Sequence, residues 1–197
     1  MILLKNVGFK GGQTINLSFE GSDQAKIEQS LFLLQKHAFP FLNLKFQIGH
    51  TGASVIRIRI EPSDKPKANI TGQTTGIGTT TPIVNVYKFS QGVLLHEFGH
   101  AMGMYHEHQN PSPNNPLKWN EAAAYDLYVN KQGWTKEQVK AQILNREDKT
   151  KTLYTAWDPN SIMNYSIPNS LLATPVKTFR NQEYSDGDKA WFKLKYG

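Results

Sequence analysis

The chain has 197 residues, 39% of them hydrophobic, which is enough to bury a core as one domain or as two subdomains about a cleft. It has no cysteine, so any stapling of loops comes from packing or from a metal, and no apolar run approaches the ~20 residues of a membrane span. The net charge of +6 is spread in short clusters such as Arg57/Arg59, Lys65/Lys67 and Lys193/Lys195; it reads as solvated surface or as a field that favours acidic substrates, and no nucleic-acid-binding motif accompanies it.

Ile2-Leu3-Leu4 is too short for the apolar segment of a secretory signal peptide, and no such peptide is visible in this chain. Ile15 to Phe19 alternates as a strand does. Gly21-Ser22 then leads into a helix whose Ile27, Leu31, Leu34 and Ala38 form one apolar stripe ending before Pro40. Leu44 to Ile48 and Val55 to Ile60 read as two more strands, the second with Arg57 and Arg59 on a wet face. The stretch from Glu61 to Ala68, with its Pro and Lys residues, is a loop. A Thr/Gly-rich segment from Thr71 to Thr81 precedes a strand over Ile83 to Tyr87, and a helix starts near Ser90.

Beyond His108 the pattern changes to loops and helices. Asn110 to Pro116 holds three prolines and forms a surface connection between the halves. Asn120 caps a helix through Tyr125 and Val129, and Thr135 with Gln138 makes a capping box, with Trp134 and Val139 at staple spacing. Ser185 with Asp188 opens the last helix, which carries Trp191, Phe192 and Leu194. The long irregular stretch before it is of a kind that is usually functional in compact domains.

The chemistry is concentrated between His96 and His106. On a helix His96 and His100 stand at i and i+4, so their rings leave one face and can bind one ion at about 2.0 to 2.1 Å. Glu97 lies beside that ion rather than on it, placed to take a proton from a metal-bound water. A catalytic zinc needs a third protein ligand and an open fourth position. Gly103 can enter the left-handed conformation that ends a helix and reverses the chain, which brings His106 to the far side of the metal. Val93, Leu94, Leu95, Phe98 and Met102 surround the His face with apolar side chains, and polar groups turned into such surroundings need a partner. His108 faces solvent or supports the turn, and His37 and His50 are structural or exposed.

His96-Glu97-x-x-His100-x-x-Gly103-x-x-His106 resembles the metzincin zinc signature, and Glu107 directly after the third His is similar to the astacin branch. Ser161-Ile162-Met163-Asn164-Tyr165 resembles that branch's Met-turn, in which a methionine lies beneath the zinc site. The resemblance implies an α+β fold: an N-terminal twisted mixed sheet with two helices, a C-terminal subdomain of loops and helices, and an active-site cleft between. It spans residues 1–197 as one catalytic domain, the upper subdomain about 1–103 and the lower about 104–197. It implies that His96, His100 and His106 hold one catalytic zinc. Tyr165 would contact the metal at rest and swing away to hydrogen-bond the tetrahedral intermediate, a role a neutral phenol can fill. An edge strand around Thr74 to Ile77 would bind the substrate backbone antiparallel; on the residues alone, a flexible Gly/Thr loop is an equal reading.

Two departures remove no ligand: typical astacins carry disulfides, and Asn164 stands where the family often has His. The family's Glu107 holds an amino terminus freed by propeptide removal. With Met1 first here, either the mature start differs or Glu107 bonds nearby backbone donors.

The expected function is a zinc-dependent endopeptidase acting on protein or peptide substrates, with Glu97 as general base and Tyr165 stabilising the oxyanion. The alternatives are a catalytically inactive, zinc-stabilised binding module and a zinc hydrolase of non-peptide amides or esters. Lys177 and Arg180 either favour an acidic side chain after the scissile bond or are plain surface charges. The resemblance implies a secreted or exported effector with neither a nucleic-acid partner nor a membrane span; its oligomeric state is unknown.

Overall fold

The computed structural model describes residues 1–63 and 70–197. Five strands form the main sheet: β2 (Thr14–Glu20), β3 (Lys45–Ile48), β4 (Val55–Ile60), β5 (Gly72–Thr75) and β6 (Ile83–Val86), preceded by a separate short strand, β1 (Ile2–Leu4). Their order is β3-β2-β4-β6-β5, with β5 alone antiparallel, at one edge. Period-two patterning sets the faces. In β4, Ile56, Ile58 and Ile60 are buried while Arg57 is exposed. Each such burial contributes roughly 1.5–3 kcal/mol.

Helix α1 (Gln24–His37) starts at Asp23, whose carboxylate accepts from the Lys26 amide. Leu34 and Ala38 from the anticipated stripe are fully buried, and the chain leaves through a 3-10 turn at Phe39–Phe41 containing Pro40. Helix α2 (Gln91–Ala101) is capped by the Ser90 hydroxyl, which accepts from the Val93 amide. Apart from Gln91, His96, Glu97 and His100 it is apolar, because it lies in the main core, packed against β5 and β6 and sharing that core with Ile162, Met163 and the last helix.

Gly103 has a φ of +85°, and a Cβ there would stand 2.2 Å from a Val7 methyl, so both backbone conformation and space require glycine. After this turn the chain runs beside β1: the Leu4 amide donates to Gly103 O and the Tyr105 amide to Ile2 O. On its other edge β1 pairs antiparallel with β7 (Thr152–Tyr154). This small sheet had no sequence signal, since neither three-residue strand stands without its distant partner.

The C-terminal half holds α3 (Glu121–Tyr125), capped by Asn120 and continued by wider i→i+5 turns to Lys131. It also holds α4 (Lys136–Val139), whose Thr135/Gln138 capping box forms, and α5 (Asp186–Tyr196), opened by the Ser185/Asp188 box. A second apolar cluster gathers Leu117, Ile167, Leu171 and Leu172 around Trp119 and Tyr165. This is the anticipated α+β architecture.

Several expectations change in detail. The edge strand covers Gly72–Thr75 rather than Thr74 to Ile77, because Gly76 turns the chain at a φ of +71°. Asn110, Pro111 and Asn115 are buried, so their loop is not a plain surface connection. Asn115 Nδ2 and Arg146 Nη1 both donate to the carbonyls of His108 and Asn110, which lets that irregular backbone leave water. Leu194 is 73% exposed; Trp191, Phe192 and Tyr196 anchor α5 instead. Of the loop expected over Glu61 to Ala68, residues 64–69 lie outside the described ones. No helix among the described residues is long and apolar enough to cross a membrane.

Candidate metal centre

Helix α2 carries two of the three histidines, and the turn at Gly103 returns the third. One ring nitrogen from each of His96, His100 and His106 lies within 4.8 Å of the others. The Nδ1 atoms of the first two are engaged: His96 Nδ1 donates to Ile162 O (2.8 Å) and His100 Nδ1 to Met104 O (2.6 Å). Those bonds select the tautomer that bares Nε2. His100 Nε2 and His106 Nε2 stand 3.0 Å apart. Two bonds of about 2.05 Å at a tetrahedral angle would put them about 3.3 Å apart.

The Gln109 amide donates to His106 O, and its side chain is anchored through Nε2 on the carbonyls of Ala141 and Asn145. Burial lowers the pKa of His96 to about 4 and of His100 to about 3, and holds His106 well below its ordinary range. The rings are therefore neutral lone-pair donors, close enough to share one cation and otherwise poorly satisfied. That donor set suits zinc.

Glu97 is 6% exposed, and burial raises its carboxyl to about 7 against the opposing Thr74 hydroxyl. Tyr165 sits across from it, its hydroxyl 2.8 Å from His106 Nε2 and its ring stacked on His108 at 4.8 Å between centroids. Burial pushes the phenol above its ordinary range, so it is a neutral donor. Met163 is fully buried under α2, where a Cβ at Gly99 would meet its sulfur at 2.8 Å. The segment around it is tied down by polar bonds. Asp188 accepts from Ser161 Oγ, Ile162 N and Ser185 N, and the Glu107 amide donates to Met163 O. Thus α5 fixes the residue whose carbonyl orients His96.

Residues 83–186, just over half of the chain, match the family model described as Astacin, a peptidase family. The chain belongs to the astacin family. It is accordingly a zinc-dependent metalloendopeptidase, a hydrolase of protein or peptide substrates. Among solved structures, that of myroilysin superposes with a TM-score of 0.81 at 23% identity, covering 100% of this chain and 98% of that one. The high choriolytic enzyme 1 of Oryzias latipes (medaka fish), described as a hatching enzyme zinc-protease, gives 0.66 at 14% identity over 96% of this chain and 94% of that one. Both show the same fold. No curated protein sequence matches.

The remaining sequence expectations divide. Glu107 is fully buried, and its Oε1 accepts from the Met1 ammonium (2.6 Å), from Asn110 Nδ2 and from the Asp158 amide. Burial raises its pKa to about 7, and the ammonium is the largest opposing influence. A terminal ammonium and a backbone donor thus meet on one oxygen. His108 is buried rather than solvent-facing; its Nε2 donates to Gln142 O, which supports the turn. His50 bonds Ser18 through Nδ1, and His37 lies 3.8 Å from Glu183. Arg180 donates to Thr71 Oγ1 beside the edge strand and its charge reaches His96, whereas Lys177 lies over the Phe179 ring. The bond from Thr74 to Glu97 and those from Asp188 to Ser161 and Ile162 had no local signal, since each joins groups distant in sequence; Asp188 was legible only as a helix cap.

Proposed function

We propose that the chain, as one catalytic unit with an upper part of about residues 1–103 and a lower part of about 104–197, cleaves peptide bonds at a zinc held by His96, His100 and His106. Zinc bound there supplies a Lewis acid that polarises a carbonyl and brings the pKa of water to about 7. Glu97, buried beside the three imidazoles, takes the proton of the attacking water and passes it to the leaving amine. Tyr165, neutral, donates to the oxyanion that develops on the substrate carbonyl, after turning from His106. Met163 is the hydrophobic base of the site.

The main support is the convergence of three imidazoles beside a buried carboxyl. Arg180, tethered at Thr71, favours an acidic residue just after the scissile bond. Action outside the producing cell completes the reading; finding the activity only in the cell interior would overturn that part. The test of the base is Glu97→Ala: zinc content stays at the wild-type value while casein hydrolysis falls about 1000-fold. Cleavage at the wild-type rate would remove Glu97 from the role.

A further inference from the structure

The edge strand does more than border the cleft. From β5, Thr74 Oγ1 lies 2.8 Å from Glu97 Oε2 and 2.9 Å from Glu97 O, so one hydroxyl proton lies between the carboxyl and the main-chain carbonyl of the same residue. Two places earlier on the same face, Gly72 presses on the other side of the carboxyl. A Cβ there would stand 2.6 Å from Glu97 Cγ and 2.6 Å from Oε1. Glycine is needed here for proximity rather than for backbone conformation. Glu97 is thus bonded on Oε2 and backed by Gly72 along Cγ and one side of Oε1.

A flexible glutamate placed beside a reacting water loses rate when its carboxyl wanders, and a misplacement of about 1 Å can cost about 100-fold. We infer that Thr74 is a positioning residue for the general base: its hydroxyl, with Gly72 as the opposing wall, locks the Glu97 carboxyl with Oε1 free to face the water. This rests on the proposed role of Glu97. It also makes β5 serve both the base and the substrate backbone that would be added along it, so order in one supports order in the other.

Thr74→Val keeps the shape and removes the hydroxyl. It is expected to lower kcat about 10- to 100-fold, with KM within about twofold and zinc affinity, read by chelator competition, unchanged. Thr74→Ser should recover most of the loss. Gly72→Ala, which displaces the carboxyl without touching the hydroxyl, should lower kcat with zinc retained, and a crystal structure of it should show Glu97 in a different rotamer. Wild-type kcat in Thr74→Val, or a Thr74→Ser variant as slow as Thr74→Val, would overturn the inference. So would a loss carried by KM or by zinc affinity, which would make Thr74 part of substrate or metal binding. Glu97→Ala separates the two readings: if it is inactive while Thr74→Val is fully active, only the positioning role fails, and if it is active, the base itself is misassigned.

Discussion

The two halves of this enzyme are held together by different physics. Among the described residues from β2 to α2, strands and helices carry the structure. Ladder hydrogen bonds and apolar burial fix them, and His96, Glu97 and His100 ride on a capped helix. From Glu107 to Tyr184 most of the backbone is irregular, and buried or half-buried polar side chains do what a ladder does elsewhere. Glu107, Asn110, Asn115, Arg146, Ser161 and Asp188 each satisfy main-chain groups or charges that would otherwise be stranded. A core made of graded apolar contacts tolerates small losses, whereas removing one member of a polar network leaves its partners unpaired.

That contrast can be broken by mutation. The largest stability loss is expected for Glu107→Ala, which leaves the Met1 ammonium buried without its anion. A fall of about 3–5 kcal/mol in denaturant unfolding is expected, and a loss below about 1 kcal/mol would show that the lower half is not held by its polar pairs. Next, Tyr165→Phe should reduce kcat about 10- to 100-fold with little change in KM, because its bond is proposed mainly for the transition state. A pure rise in KM would contradict that. Third, acid sharpens the comparison. His96, His100, His106 and His108 have folded pKa values lowered by burial, so below about 6.5 the unfolded chain takes up protons that the folded chain refuses. Glu97 and Glu107, raised to about 7 by burial, act in the opposite sense over the same range, so the rings' share is read by difference: the melting temperature of the metal-free protein should fall relative to that of His108→Gln as pH drops from about 6.5 towards about 4, and a constant difference would mean that the His108 ring is hydrated. Smallest is Ile58→Val in the upper core, expected to cost about 0.5–1.5 kcal/mol.

The same contrast decides what was legible in the sequence. Periodicity and capping are local, so α1, α2, both capping boxes and β4 could be read directly, as could the turn at Gly103. The candidate ligands were readable because a helix converts their spacing into geometry. Outside its capped helices, the lower half takes much of its order from bonds between residues distant in sequence, which no window contains. The pairing of Ile2 with Tyr154, the burial of His108 and Asn110, and the Asp188 carboxylate beneath the Ile162 peptide belong to that class. Thr74 is the sharpest case: an ordinary threonine in a Thr/Gly-rich run, 23 residues before the carboxylate it holds. The edge strand itself was misplaced by two residues because Gly and Thr carry weak patterning, and only the turn at Gly76 fixes its end.

The central claim is that three imidazoles share one ion. Metal analysis of the purified protein and of His100→Ala, each after dialysis against dilute zinc, tests it most directly. The account predicts one zinc per chain in the wild-type protein and in Glu97→Ala, and none retained in His100→Ala. A wild-type chain without zinc, or a His100→Ala chain that holds it equally well, would contradict the account.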